Sequence, residues 1–186
     1  MDAASPQTDQ KALLDLIPMG PVDSLAVSII AAHLQTLLGL PTQIHPEQAR
    51  PDFAYLAARR QYDAGAIIKH LNQTGHPPPF KLGLVAGDLC LPILTYVFGE
   101  SQLGGCAAVV SLFRLRDKQR HLLYERAAKI SLHEVGHLLG LEHCRAADCL
   151  MRFSKQLDQL DHLPLLFCSA CEYEVVRRVR ILNGQS

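Results

Sequence analysis

Apolar residues along the chain recur at two spacings, one typical of strands and one typical of helices. Short apolar runs bounded by glycine or proline predict strands at 13–18, 42–45, 80–86, 93–98 and 106–113. Between the first two runs, apolar residues three and four positions apart predict a helix that Asp23 caps and Gly39 ends. Because a helix joins these two strands, we expect them to be parallel.

Three further segments show helical spacing. The segment 55–73 predicts a second helix, which a Gly-His-Pro-Pro-Pro run then ends. The segment 117–139 predicts a long helix whose apolar stripe continues through His133 and His137. After an irregular stretch, the segment 172–182 predicts a short final helix.

The length and charge of the chain narrow the class of protein. Its 186 residues suit one domain with a sizeable core, which we place at 12–186, after a polar tail at 1–11 that we expect to be disordered. Lys plus Arg and Asp plus Glu both number 18, so the formal net charge is zero and we expect no nucleic-acid partner.

Hydropathy argues against secretion and against a membrane partner. The tail carries no apolar core of the kind that a secretory signal needs. The apolar run 25–40 is interrupted by polar residues and is too short to cross a bilayer. We therefore expect a cytoplasmic protein that does not bind membranes.

The stretch 133–143 reads H-E-x-x-H-x-x-G-x-x-H and carries the clearest chemistry in the sequence. Positions i and i+4 lie on one face of a helix, so His133 and His137 can bind the same metal ion. Glu134 lies about 100° around the helix, where it can act on a water beside the ion instead of ligating the ion.

A third histidine can reach the same ion only if the helix ends. In a continued helix, His143 would lie about 9 Å further along the axis and about 240° around it. Gly140 can take the left-handed conformation that ends helices, so that the chain turns back. Three neutral imidazoles and a water then make an open tetrahedral zinc site of the catalytic kind. The alternative, a buried helix with scattered histidines, explains a bare H-E-x-x-H but not the added Gly140 and His143.

Four cysteines and a methionine follow at short intervals, namely Cys144, Cys149, Met151, Cys168 and Cys171. Cys168 and Cys171 have the spacing of a C-x-x-C knuckle, and four thiolates satisfy zinc with no open position, which is the structural kind of site. Such a site would hold the final helix against the segment that carries His143. Two alternatives remain, namely a pair of disulfides in an oxidising compartment and a redox-active C-x-x-C.

The whole run from His133 to Cys171 resembles the archaemetzincins, a zinc metallopeptidase family of the metzincin clan. The cysteine directly after the third histidine and the cysteines that follow it are specific to that pattern. One spacing departs from it, because 16 residues separate Met151 from Cys168, one fewer than in the family pattern.

The resemblance implies an α/β (α+β), metzincin-like fold with a mixed twisted sheet, one antiparallel edge strand, two main helices, a long active-site helix and a small zinc-stapled C-terminal part. The upper part would span 12–140 and the lower part 141–186, with a zinc ion in the cleft between them. We expect the edge strand at 94–98, where an extended peptide could add as another strand. Met151 would be the methionine of the Met-turn, packed beneath the histidines.

The resemblance also implies two zinc ions per chain. The catalytic ion would be bound by His133, His137 and His143. The structural ion would be bound by the four cysteines, Cys144, Cys149, Cys168 and Cys171. The predicted function is that of a zinc metallopeptidase that hydrolyses peptide bonds with a zinc-activated water and with Glu134 as the general base. Some metzincins carry a tyrosine two residues after the methionine that helps to bind the zinc ion or the oxyanion. This chain has Phe153 there, which has no hydroxyl, so Tyr96 and Arg152 are the candidates for that role.

The expected substrate is a peptide or a protein, and the family includes aminopeptidases. A free amino terminus needs an acidic anchor, for which Glu100, Glu142 and Asp148 are the candidates near the motif. The main alternative is a non-catalytic zinc-binding protein that retains both metal sites. We expect the chain to act as a monomer.

Overall fold

The computed structural model describes residues 12–74 and 79–184. The predicted disorder at 1–11 lies outside these residues. The strands are β1 (Leu14–Met19), β2 (Thr42–Ile44), β3 (Tyr55–Leu56), β4 (Gln61–Asp63), β5 (Phe80–Val85), β6 (Leu89–Leu91), β7 (Leu94–Val97), β8 (Gly99–Ser101) and β9 (Ala107–Ser111). The helices are α1 (Ser24–Leu38), α2 (Ala64–Gln73), α3 (Arg120–Leu138), α4 (Leu157–His162) and α5 (Ser169–Leu182).

A five-stranded sheet in the order β2-β1-β5-β9-β8 forms the centre of the fold. Its first four strands are parallel, as predicted for β1 and β2, and β8 is antiparallel to β9 at one edge. The predicted mixed sheet with one antiparallel edge strand is therefore confirmed. A second sheet in the order β3-β4-β6-β7 was not predicted.

The central strands are buried on both faces, as expected for parallel strands covered by helices. In β1, Leu14 and Leu16 face the larger core cluster, whereas Ile17 and Met19 face the smaller one. Helices α1 and α3 pack together on the first side, and α2 packs against β5 and β9 on the other. The helix α3 thus runs beneath the edge strand β8, which positions the candidate site.

The predicted position of the edge strand was wrong. The segment predicted at 94–98 contains β7, which pairs with β6 in the second sheet, and the edge of the central sheet is Gly99–Ser101. A Cβ on Gly99 would lie 2.7 Å from Cγ of Glu134, so only glycine lets β8 run this close to α3. The glycine at position 99 is therefore required by the packing of β8 against α3.

The helix predicted at 55–73 is correct only in its second half. Its first half forms the hairpin of β3 and β4, with Arg60 in the left-handed region at φ 53°. The helix α2 begins after Asp63, whose carboxylate accepts hydrogen bonds from the N–H groups of Gly65 and Ala66. Because a cap at this position is available, the apolar spacing that extends further back does not start the helix earlier.

The first helix and the long helix lie close to their predicted positions. Asp23 caps α1, and Gly39 ends it at φ 66°. The predicted helix at 117–139 is α3, which begins at Arg120 because the carboxylate of Asp117 accepts the N–H of Gln119 in the preceding turn. The short helix α4 was not predicted. Within 12–74 and 79–184, no helix is long and apolar enough to cross a membrane.

Candidate active site

The three predicted histidines converge at the C-terminal end of α3. The Nε2 atom of His137 lies 3.1 Å from Nε2 of His133 and 3.3 Å from Nε2 of His143. Nitrogen ligands of a tetrahedral zinc ion, each about 2.0–2.1 Å from the metal, lie about 3.3 Å from one another. The spacing of the three imidazoles therefore fits one zinc ion.

The turn at Gly140 delivers His143. Gly140 has φ +84°, its N–H donates to the carbonyl of His137 at 2.8 Å, and the N–H of Leu141 donates to the carbonyl of Gly136 at 3.0 Å. These two bonds form a Schellman motif, which satisfies the last carbonyls of the helix while the chain reverses. The predicted break at Gly140 is confirmed.

Hydrogen bonds at the far side of the rings fix which nitrogen faces the centre. Nδ1 of His133 lies 2.8 Å from the carbonyl of Leu150, and Nδ1 of His137 lies 2.6 Å from the carbonyl of Leu141. Both Nδ1 atoms must donate, so in neutral rings both Nε2 atoms carry lone pairs that point at each other. Burial lowers the pKa of His133 to about 4, so its ring is neutral at pH 7. Facing lone pairs at 3.1 Å need a cation between them, and a metal ion fits.

Met151 is fully buried beneath the turn of α3 that separates His133 from His137. A Cβ on Gly136 would lie 2.6 Å from the sulfur of Met151, so the glycine in the motif makes room for this side chain. The carbonyl of Met151 accepts the N–H of Cys144 at 2.9 Å. Met151 thus packs against the helix that carries two of the histidines and is bonded to the segment that carries the third.

Glu134 is buried beside the histidines and is held by the edge strand β8. Its Oε2 atom accepts a hydrogen bond from the hydroxyl of Ser101 at 2.6 Å. Burial raises the pKa of Glu134 to about 8, and the charge of Glu100 adds to the rise while the bond from Ser101 opposes it. A cation at the three histidines would oppose this rise and favour the ionised carboxylate, which is the form that can accept a proton.

The four predicted cysteines form a second group, with their sulfur atoms within 4.8 Å of one another. The sulfurs of Cys144 and Cys168 are 3.8 Å apart, which is the separation of about 3.8 Å expected for thiolates about 2.3 Å from one zinc ion. Two N–H···S bonds in the cluster, from Cys168 to Cys149 and from Ala146 to Cys144, measure 3.4 Å each. All six cysteines are free, which does not support the disulfide alternative.

The pKa values of the thiols in this cysteine cluster also indicate a bound cation. The N–H of Cys171 lowers the pKa of the Cys168 thiol to about 7, whereas burial raises the pKa of Cys149 and of Cys171. Because burial opposes the ionisation of Cys149 and Cys171, the four crowded thiols cannot all become thiolates without a positive charge among them. The residues present thus fit a structural zinc ion.

A cleft of about 820 Å³ runs past the histidines. One rim is the segment 94–103, which contains β7 and β8, and the other rim is the segment 150–163, with α3 as the floor. Of the three candidate anchors for an amino terminus, Glu100 and Glu142 line the cleft, whereas Asp148 does not.

Two buried cations on α3 hold the second rim, and the sequence did not identify them. Nζ of Lys129, which is 1% exposed, lies 3.1 Å from the carbonyl of Leu160, 3.3 Å from the carbonyl of Asp161 and 2.6 Å from Glu125. The guanidinium of Arg126 makes two bonds to the Asp161 carboxylate, at 2.7 and 2.6 Å. Both cations therefore lie at the C-terminal end of α4, where free carbonyls favour positive charge.

Two contacts of Glu134 were also missed, those with Ser101 and Gly99. Both come from a strand more than 30 residues earlier, and no local spacing relates them to the motif. The G-E-S triplet of β8 lies between the predicted strands 93–98 and 106–113, so the sequence carried no signal for either contact.

A family model and individual known proteins match this sequence and point to the same family. The family model described as peptidase family M54 matches residues 53–177. The chain is 36% identical to the archaemetzincin of Archaeoglobus fulgidus over 83% of its own length and 93% of that protein. It is 35% identical to the archaemetzincin of Methanopyrus kandleri over 86% of its own length and 91% of that protein.

Solved structures share the fold. The crystal structure of the archaemetzincin from Methanopyrus kandleri superposes with a TM-score of 0.82 at 33% identity, covering 90% of this chain and 94% of that one. The crystal structure of a zinc-dependent peptidase from Methanocorpusculum labreanum superposes with a TM-score of 0.79 at 25% identity, covering 87% and 99%.

Proposed function

Because this chain belongs to peptidase family M54, the archaemetzincins, we propose that it cleaves peptide bonds with Glu134 as the general base. The chain is a zinc metallopeptidase with peptide or protein substrates. The observation that carries the proposal is the pair of facing Nε2 atoms, 3.1 Å apart, next to a buried carboxylate. The non-catalytic alternative does not account for a carboxylate kept buried and oriented at this place.

The assignment of ligands is part of the proposal. The catalytic zinc ion would be held by His133, His137 and His143, whose Nε2 atoms form one group. The structural zinc ion would be held by the cysteine cluster, namely Cys144, Cys149, Cys168 and Cys171. The histidine set leaves a tetrahedral position open for a water or a substrate, whereas the cysteine set closes all four positions.

Bound zinc supplies Lewis acidity, which lowers the pKa of a water towards about 7 and polarises a carbonyl. Glu134 takes the proton from the attacking water and later gives it to the leaving amine. The hydroxyl of Ser101 donates to Oε2, which leaves Oε1 free to accept that proton and keeps the carboxylate in one orientation. We therefore propose Ser101 as a positioning residue that acts through Glu134.

We further propose that the enzyme removes residues from amino termini and that Glu100 binds the terminal ammonium group. Glu100 lies on β8 next to Ser101 and lines the cleft, and burial raises its pKa. Within the described residues it makes no ion pair, so its carboxylate is available to a cation of the substrate. Glu142 lines the same cleft but is exposed to solvent, which weakens any ion pair that it forms.

A digest of a peptide library tests both whether peptide bonds are cleaved and whether residues are released from the amino terminus. The wild-type protein should release first residues, and the Glu134→Ala protein should release none. Glu100→Gln should raise KM for peptides with a free amino terminus and should leave acetylated peptides unaffected. Internal cleavage by the wild-type protein would contradict the aminopeptidase proposal, while undiminished release by Glu134→Ala would contradict the role of the base.

A further inference from the structure

A tyrosine hydroxyl bridges the two rims of the cleft. Tyr96 lies on β7 in the first rim, and its hydroxyl donates to the carbonyl of Lys155 in the second rim at 3.2 Å. Both residues line the cleft, and 59 positions of sequence separate them. The bond therefore passes over the cleft and does not belong to the local structure of either rim.

The tyrosine is held in place from the side of the second sheet. The guanidinium of Arg114 lies 3.9 Å from the centre of the Tyr96 ring, and it makes two bonds to the Asp88 carboxylate at 2.7 and 2.8 Å. Asp88 is 7% exposed and also accepts a bond from Gln61 at 2.8 Å. Because charged and planar groups fix the ring, the hydroxyl is pre-positioned over the cleft.

The acceptor is fixed as well. The N–H of Lys155 donates to the side chain of Gln159 in α4 at 2.9 Å. The end of α4 is in turn held by the buried cations Lys129 and Arg126 on α3. The bridge between Tyr96 and Lys155 thus joins two anchored rims.

The position of the bridge along the rim limits how many substrate residues can lie between the bridge and the cleaved bond. Tyr96 precedes Gly99 by three residues, and Gly99 lies directly over Glu134. Three residues span at most about 10 Å, so the backbone of Tyr96 lies within about 10 Å of Gly99. An extended peptide that lies along this rim therefore meets the bridge within about three residues of the bond that is cleaved.

We propose that the bridge between Tyr96 and Lys155 closes one end of the cleft and makes Tyr96 a specificity-determining residue that selects short chain ends over long peptides on that side. The inference rests on the proposed function, since it concerns the same cleft. In this arrangement the hydroxyl hydrogen is directed at Lys155, so Tyr96 is not free to donate to an oxyanion, the role considered for it from the sequence.

Two series of unlabelled peptides test the proposal. One series is extended residue by residue on the amino-terminal side of the cleaved bond, and the other on the carboxyl-terminal side. For the wild-type protein, kcat/KM should fall sharply beyond about three residues in the carboxyl-terminal series, because the proposed aminopeptidase accepts only one residue on the amino-terminal side. Tyr96→Phe, which removes only the hydroxyl, should raise kcat/KM for the longer members of that series by about fivefold, as expected for the loss of one hydrogen bond.

Tyr55→Phe is the matched control, because Tyr55 is an exposed tyrosine of the second sheet that does not line the cleft. It should leave the length dependence unchanged. Tyr96→Ala, which also removes the ring, should abolish the length limit. A wild-type protein without a limit in the carboxyl-terminal series, or a limit in that series that persists in both Tyr96 variants, would overturn the proposal.

Measurements of peptide binding test the bridge separately from the catalytic role of Glu134. Titration calorimetry with the zinc-loaded Glu134→Gln protein measures the same series without turnover. The length limit should appear in Kd, and Tyr96→Phe in that background should relax it. If the length limit appears in Kd but Glu134→Gln turns over peptides at the wild-type rate, the role of Glu134 is refuted and the bridge is not. If Kd is equal at all lengths, the bridge is refuted and the role of Glu134 is not.

Discussion

Replacing Gly99 by alanine tests the link between the edge strand and the catalytic carboxylate. The added Cβ would lie 2.7 Å from Cγ, 2.8 Å from Oε1 and 3.0 Å from Cδ of Glu134. Non-bonded carbon atoms prefer about 3.5–4.0 Å, so the carboxylate or the strand must move by about 1 Å. The backbone of Gly99 is extended, which alanine can adopt, so the effect comes from this contact and not from strain.

A displacement of about 1 Å at a reacting group costs about 100-fold in rate. We therefore expect Gly99→Ala to lower kcat for peptide hydrolysis by about that factor while the protein stays folded and keeps both zinc ions. Metal analysis, thermal unfolding and steady-state kinetics of one preparation measure the three quantities. Gly65→Ala, in the first turn of α2 on the other side of the sheet, is the control and should match the wild type. An unchanged kcat in Gly99→Ala, or a loss of rate that merely follows a loss of zinc, would refute the reasoning.

Three further changes probe the two metal groups and the second rim. Gly140→Ala should destabilise the protein by about 1–2 kcal/mol, because alanine is strained at this positive φ. It should also weaken zinc binding in a chelator competition, since the turn at Gly140 delivers His143. The control is Gly184→Ala, at φ 70° with nothing within 4 Å, which should leave the zinc affinity unchanged. Cys168→Ser should retain one zinc ion per chain instead of two and should lower Tm before it lowers kcat, and a wild-type protein that binds a single zinc ion would contradict this. Lys129→Met keeps the aliphatic stem but removes the ammonium group from the carbonyls of Leu160 and Asp161 and from Glu125, so denaturant unfolding should show a loss of about 1–3 kcal/mol. Equal stability would contradict a stabilising role of this buried cation.

The parts of the site that lie close together in sequence could be predicted. The spacing of His133 and His137 on a helix, and the glycine that ends it, follow from helix geometry alone. The convergence of the cysteines on one point was predicted from the C-x-x-C knuckle and the looser pair before it. In each of these cases the distance between side chains is set by a few backbone angles.

The parts that depend on tertiary packing could not be predicted in the same way. Gly99 lies outside the predicted strands 93–98 and 106–113, and its close contact with Glu134, on a distant element, has no counterpart in local spacing. The burial of Lys129 contradicts the usual preference of a lysine for the surface, and only the carbonyls at the end of α4 explain it. The division of the chain into an upper part at 12–140 and a lower part at 141–186 stays a prediction, as do the monomeric state and the cytoplasmic location.

The role of Glu134 is tested most directly by the turnover of the Glu134→Gln protein at a measured zinc content. Glutamine keeps the shape of the side chain and can still contact Ser101, but it cannot accept the proton of a water. If Glu134 is the general base, this protein should carry two zinc ions per chain, keep its fold and have a kcat lower by about 100- to 10,000-fold than that of the wild type. A Glu134→Gln protein that carries two zinc ions and turns over peptides at the wild-type rate would contradict it.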